Sequence, residues 1–130
     1  MKTAWQLVDE ANREVRQIEP ARARSAQDAG DAVLVDIRDI RELSKMGRVP
    51  GAVHAPRGML EFWFDPESEY HREVFADATK TYILFCAAAG RSALAAKSLQ
   101  DMGFDNIAHM SDGFRGWQEA ELPVEAPDAP

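Results

Sequence analysis

The sequence predicts an α/β domain in which a parallel β-sheet is flanked by helices on both faces. Two continuous apolar runs, AVLVDIR at 32–38 and TYILF at 81–85, lack the alternation of a half-exposed strand, which indicates strands covered on two sides. Helical patterns flank and separate the two runs, and strands that alternate with helices pair in parallel. A chain of 130 residues is long enough for one such domain with its own hydrophobic core.

The segment 1–29 is predicted to form two helices. Thr3 and Gln6 have the spacing of a capping box, which marks the start of the first helix. The apolar residues around and after this box fall on one helical face: Ala4, Leu7, Val8, Ala11 and Val15. Pro20 suits the first turn of a second helix over 21–29, which Gly30 would end.

The middle of the chain continues the alternation of strands and helices. A short helix through 40–46 is predicted to stop at Gly47, before a turn at 50–51. Residues 52–55 follow as a short strand. The segment 57–77 mixes aromatic and acidic residues, and we expect a short helix, a surface loop and another helical turn there.

The last third is predicted to add a long helix, a strand and a final helical turn. The helix covers 91–102 and ends at Gly103, the strand covers 106–109, and the turn covers 113–117. The core-facing residues of the long helix are expected to be Ala95, Leu99 and Met102. The tail 123–130 alternates proline, alanine and acids, and is expected to be flexible.

Composition narrows the classes of function. A formal net charge of −7 argues against nucleic acid as the main partner, because binding to phosphates requires a basic surface. No stretch approaches the ~18 apolar residues of a membrane span, so we expect no membrane partner. A single cysteine cannot form an internal disulfide, which favours the reducing cytoplasm. The three histidines, His54, His71 and His109, have no ligand spacing, so we expect no metal and no cofactor and treat all three as structural or surface residues.

The candidate nucleophile is Cys86, the only cysteine, which closes the second buried strand and opens the loop CAAAGRS into a helix. Loop amides and a helix N-terminus would favour both a thiolate and a bound anion. Asp36 and Arg38 end the first buried strand, and ligand sites in such folds lie beyond the carboxyl ends of the strands. The alternative is a buried structural cysteine, since free cysteine is among the most buried residue types.

The stretch 32–121 resembles a single-domain rhodanese, a sulfurtransferase of the thiosulfate type. The pieces that carry the resemblance are VLVDIRD, GRVPGAVHAPRG and YILFCAAAGRSALAAKSLQDMGFDNIAHMSDGFRGW, in that order. The resemblance implies a five-stranded parallel sheet. We expect one rhodanese-like domain over 1–122, with the helical segment 1–29 packed on it.

The resemblance also implies a chemistry. Cys86 would take sulfane sulfur from a small anionic donor, thiosulfate or a persulfide, and hold it as a cysteine persulfide. A thiol or cyanide would then accept the sulfur. Four residues separate Cys86 from Arg91, whereas the cysteine phosphatases on related folds have five, so the loop suits one sulfur atom better than a phosphoryl group.

Two positions depart from the pattern of the family. Rhodanese-like loops commonly have glycine fourth, where this chain has Ala89, followed by Gly90. Either Ala89 is strained by a positive φ, or the role of the glycine has moved by one residue. The family often has histidine where Arg48 stands, and we interpret Arg48 as a structural variation.

The supporting residues have open alternatives. The loop predicted to bind the substrate comprises Ala87, Ala88, Ala89, Gly90, Arg91 and Ser92. Arg91 would bind the sulfonate end of the donor or brace the loop. Ser92 would donate to the anion or, in the favoured interpretation, cap its helix. Arg57 would make a second anion contact or be a solvated surface residue. Asp36 and Arg38 are expected to pair with each other or with loop amides and so to shape the site.

Two further hypotheses remain beside the sulfurtransferase. The domain would be a non-catalytic module that carries sulfur or docks a protein, with the aromatic and acidic segment 61–77 as its surface. Alternatively it would be a phosphatase or arsenate reductase, which the length of the loop disfavours.

Overall fold

The computed structural model describes residues 1–128, and their fold is built on one five-stranded parallel sheet. Its strands are β1 (Arg16–Ile18), β2 (Ala32–Asp36), β3 (Val53–His54), β4 (Thr81–Phe85) and β5 (Ile107–Met110). Their spatial order is β1-β5-β4-β2-β3, and every adjacent pair runs parallel. The predicted α/β class and five-stranded sheet are therefore confirmed.

Six α-helices accompany the sheet within residues 1–128. They are α1 (Ala4–Glu14), α2 (Pro20–Asp28), α3 (Ile40–Met46), α4 (Leu60–Phe64), α5 (Gly90–Met102) and α6 (Gly113–Glu119). Single 3-10 turns cover Arg57–Met59 and Glu73–Phe75, so the expectation of two short helical pieces around a loop is confirmed. The capping box is confirmed as well, because the Thr3 hydroxyl accepts from the Gln6 amide and the Gln6 side chain accepts from the Thr3 amide.

Neighbouring residues of the central strands face opposite sides of the sheet. Val35 and Leu84 belong to a core shared with α4 and α5, whereas Leu34 and Ile83 belong to a core shared with α2 and α6. Because both faces are covered, the strands appear in the sequence as unbroken apolar runs. The parallel pairing of β2 with β4 places their carboxyl ends, Asp36 and Phe85, side by side.

Three details differ from the sequence-based expectations. Strand β1 was not predicted from the pattern, because two of its three residues are exposed and an edge strand of this length has no apolar run. Leu7, which the pattern placed on the apolar face of the first helix, and Met102, which was expected to face the core, are exposed. Helix α1 packs on α5 through the narrower stripe of Val8 and Ala11, and Met102 is the last residue of α5.

The end of the chain contacts the turn that follows α3. Arg48 and Glu125 exchange two backbone hydrogen bonds, and the Asp128 amide donates to the Ser44 carbonyl. The Trp117 indole donates to the Pro123 carbonyl. The flexibility of 123–130 stays a prediction, which these contacts over 123–128 argue against; residues 129 and 130 lie outside the described part. Within residues 1–128 no helix has the length and apolar character needed to span a membrane.

Candidate active site

The loop after β4 is held by the first turn of α6. Cys86 follows the last residue of β4, and its carbonyl accepts from the Phe114 amide at 2.8 Å. The Ala87 carbonyl accepts from the Arg115 amide at 3.0 Å. Gly113 has a φ of +54°, and a Cβ there would lie 2.1 Å from the Ala88 carbonyl oxygen. The close approach of α6 to the loop therefore requires glycine at this position.

The amides of the same loop are available to a ligand. Among residues 1–128, the N–H groups of 87–92 have no hydrogen-bond acceptor, whereas the carbonyls of Cys86, Ala87 and Ala89 are all used. The run of free amides continues into the first turn of α5, whose N-terminus carries a partial positive charge. This arrangement can stabilise a thiolate, or a negatively charged atom bound to it.

The loop tolerates Ala89 because the position is not left-handed. Ala89 has a φ of −156°, so an alanine there carries no penalty for positive φ. Glycine one residue later leaves room for a neighbouring side chain. A Cβ on Gly90 would lie 3.3 Å from the Trp5 ring, which packs over the loop from α1.

Arg91 braces the loop in this structure. Its guanidinium makes two hydrogen bonds to Glu42 on α3, at 2.8 and 3.0 Å. The hydrogen bonds to Glu42 raise the pKa of Arg91, and the nearby Cys86 sulfur adds to the effect. Of the two roles expected from the sequence, bracing is the contact observed, and binding of the donor stays a prediction.

Asp36 and Arg38 form a buried ion pair beside the loop. Their side chains are 3% and 1% exposed, and the guanidinium meets both carboxylate oxygens at 2.8–3.2 Å. Arg38 also donates to the Gly47 carbonyl and lies 4.1 Å from the centre of the Phe114 ring. The expected pairing is confirmed. The ion pair also supports the loop, because Arg38 contacts the ring of Phe114 and the Phe114 amide donates to the Cys86 carbonyl.

Arg57 has a partner of its own. It donates to Glu61 at 2.8 Å, and Glu61 also accepts from the Ser98 hydroxyl at 2.6 Å. The side chain is about one-third exposed, so Arg57 is not a fully solvated surface residue. A contact between Arg57 and an anionic donor stays a prediction.

A series of hydrogen bonds behind the Cys86 sulfur was not predicted from the sequence. The Cys86 thiol donates to the Ser92 hydroxyl at 3.6 Å, and this hydroxyl lies 3.0 Å from His109 Nδ1 on β5. His109 Nε2 donates to Asn12 Oδ1 at 2.8 Å, which leaves Nδ1 to accept from Ser92. The Ser92 hydroxyl contacts Cys86 and His109 in this structure, and both roles expected from the sequence, capping the helix and donating to the anion, stay predictions. A histidine within the apolar run IAHM was the one available signal.

His109 is expected to make the stability of the fold depend on pH. It is fully buried, and burial lowers its pKa from 6.5 to about 4. The unfolded chain therefore binds a proton between these values that the folded chain does not bind. The contribution of neutral His109 to the free energy of unfolding is fully present above pH ~6.5. It falls by about 3 kcal/mol in total as the pH drops towards 4.

Urea unfolding of the wild type and of His109→Gln across pH 4–7 measures this contribution. Glutamine does not titrate, so the wild type should lose about 3 kcal/mol of unfolding free energy relative to His109→Gln as the pH falls from 7 to 4. Protonation of the carboxyl groups lowers the stability of both proteins alike, so it cancels in this difference. Two parallel curves would contradict the assignment.

Cys86 opens into a cavity of about 360 Å³ on the side of α1. Trp5, Val8 and Leu94 form its outer wall, and the small residues of the loop form its base. Arg91 is the one charged residue that lines it within the described part of the chain. The cavity gives a substrate access to a sulfur that is otherwise buried.

Known proteins resemble this chain in sequence and in fold. The family model of the rhodanese-like domain matches residues 19–120. The thiosulfate sulfurtransferase GlpE of Glaesserella parasuis is 33% identical over 109 residues, which are 84% of this chain and 92% of that protein.

Two solved structures extend the comparison. A Rhodopseudomonas palustris protein of unknown function, described as a possible tyrosine phosphatase, is 42% identical with a TM-score of 0.90 and 96% coverage of each chain. The polysulfide-sulfur transferase homodimer of Wolinella succinogenes is 32% identical with a TM-score of 0.68, covering 90% of this chain and 82% of that one. With the match over 19–120, these similarities establish that the chain belongs to the rhodanese-like domain family.

Proposed function

We propose that this protein is a sulfurtransferase that carries sulfane sulfur as a persulfide on Cys86. The observation that carries the proposal is a cysteine at the base of an open cavity, followed by six backbone amides without acceptors. Such a loop stabilises the thiolate before the reaction and the terminal sulfur of the persulfide after it. The relative named thiosulfate sulfurtransferase supports the same chemistry.

The reaction has two steps that balance without a cofactor. The Cys86 thiolate attacks the outer sulfur of thiosulfate, a new S–S bond forms, and sulfite leaves with the electron pair of the broken bond. A thiol or cyanide then attacks the outer sulfur of the persulfide and releases the Cys86 thiolate. A persulfide or polysulfide donor would enter the first step in the same way. We place the reaction in the cytoplasm, where a lone thiol stays reduced.

Intact-mass measurement after incubation with thiosulfate tests the proposal. The expected result is a gain of one sulfur, about 32 Da, that a reductant removes. Because the chain has one cysteine, the adduct reports on Cys86 alone, and prior alkylation with iodoacetamide should prevent it. Absence of the adduct with thiosulfate, a thiosulfonate and glutathione persulfide alike would overturn the proposal in favour of a non-catalytic module.

A phosphatase is the second candidate, since the Rhodopseudomonas palustris protein is described as a possible one. Four residues separate Cys86 from Arg91, and Arg91 is paired with Glu42 rather than free to bind a phosphoryl group. Both observations favour sulfur as the cargo. Hydrolysis of an aryl phosphate that alkylation of Cys86 abolishes would favour the phosphatase instead.

A further inference from the structure

One wall of the Cys86 cavity comes from residues that precede the match to the family model. The match to the rhodanese-like domain begins at residue 19, whereas Ala4, Trp5 and Val8 of α1 line the cavity. Helix α1 therefore lies before the matched residues, and its side chains pack over the reactive loop. Its effect on the site must come from the three side chains that it presents there.

Contacts along the whole of α1 hold it in place. Val8 and Ala11 pack against Ala93 of α5, and Asn12 accepts from His109. Lys97 pairs with Glu14 at 2.8 Å near the end of the helix. The position of Trp5 over Gly90 is thus set by the fold, yet its side chain remains 68% exposed. A large aromatic side chain held over a reactive cysteine but left uncovered offers a surface to a substrate.

The chemistry of the cavity suits an apolar group better than an inorganic anion. Its outer wall is formed by Trp5, Val8 and Leu94, and the charge of Arg91 is already paired with Glu42. Apolar walls give no compensation for removing the doubly charged thiosulfate anion from water. A volume of about 360 Å³ lies within the range of sites for small organic ligands.

We propose that the sulfur donor is an organic persulfide whose apolar, ring-sized substituent binds against Trp5, with its outer sulfur at the loop amides. This inference rests on the proposed function and names the class of its substrate. The Cys86 thiolate attacks the outer sulfur of R–S–SH and forms Cys86–S–SH. The R–S thiolate leaves with the electron pair of the broken bond and takes a proton from water.

Two thiosulfonate anions separate the effect of the apolar group from the chemistry. Benzenethiosulfonate and methanethiosulfonate carry the same single charge, transfer the same outer sulfur and release a sulfinate. Only benzenethiosulfonate has a ring that could contact Trp5. The experiment measures kcat/KM for both donors with cyanide as acceptor, and divides each value by the rate with a small free thiol to remove intrinsic reactivity.

The wild type is expected to prefer the benzene donor by tenfold or more after this correction. Trp5→Ala should remove most of the preference by raising KM for the benzene donor, with little change for the methane donor. Leu7→Ala is the matched control, because Leu7 is an exposed residue of the same helix that does not line the cavity. It should leave both values unchanged.

The outcomes distinguish this inference from the function on which it rests. Equal corrected rates for the two donors, or a preference that survives Trp5→Ala, would overturn the role of Trp5 while sulfur transfer stands. Failure of both donors to load Cys86 would overturn the proposed function and this inference together. Because Trp5 is mostly exposed, its replacement should leave the unfolding midpoint near that of the wild type, which circular dichroism checks.

Discussion

Replacing Cys86 by serine is expected to abolish sulfur transfer from every donor without unfolding the protein. A serine hydroxyl stays protonated at neutral pH and cannot form a persulfide, so the covalent intermediate is lost. The substitution is nearly isosteric at a site that is 2% exposed, and the hydroxyl can still donate to Ser92 as the thiol does. The loop should therefore keep its shape while its reactive atom is removed.

Steady-state transfer to cyanide and urea unfolding together make this test decisive. Ser98→Ala is a suitable control, because Ser98 lies on α5, the helix that follows the loop, and bonds to Glu61 rather than to the loop. It should retain transfer, whereas Cys86→Ser should fall to the uncatalysed background with a similar unfolding midpoint. Residual turnover well above background in Cys86→Ser would show that another group carries the sulfur.

The reactive loop was predictable from the sequence because its determinants are local. An apolar run, a cysteine and a helix start follow one another along the chain, so the position of Cys86 needs no knowledge of distant contacts. The central strands were predictable for the same reason, since burial on both faces is visible in their composition. Strand β1 has no such pattern, because its register comes from pairing with β5.

The supporting residues were harder to predict because their partners are remote in sequence. His109 bonds to Asn12, 97 positions earlier, and Arg91 bonds to Glu42, 49 positions earlier. Neither partner has a spacing that a pattern can reveal. Asp36 and Arg38 are two positions apart, and their pairing was therefore expected from the sequence. Locality thus separates the contacts that were predicted from those that were not.

Removing Arg38 alone is expected to destabilise the fold more than removing the whole Asp36–Arg38 pair. In Arg38→Met the Asp36 carboxylate stays 97% buried with no cation, the Gly47 carbonyl loses a donor, and Phe114 loses its stacked guanidinium. An unpaired buried charge costs about 3–5 kcal/mol of unfolding free energy. Adding Asp36→Asn removes that charge but keeps an oxygen that can accept from the backbone amide of residue 38.

A double-mutant cycle by urea unfolding at pH 7 measures the difference. Asp36→Asn alone should also be costly, because it leaves the buried guanidinium of Arg38 without its anion. The double variant should therefore lose less stability than Arg38→Met alone, which requires a coupling energy larger than the loss caused by Asp36→Asn. Additive losses would mean that each side chain contributes through packing and backbone contacts rather than through the pair. Since Phe114 holds the Cys86 carbonyl, the single variants should also load sulfur more slowly than the double variant, which connects this buried pair to the geometry of the reactive loop.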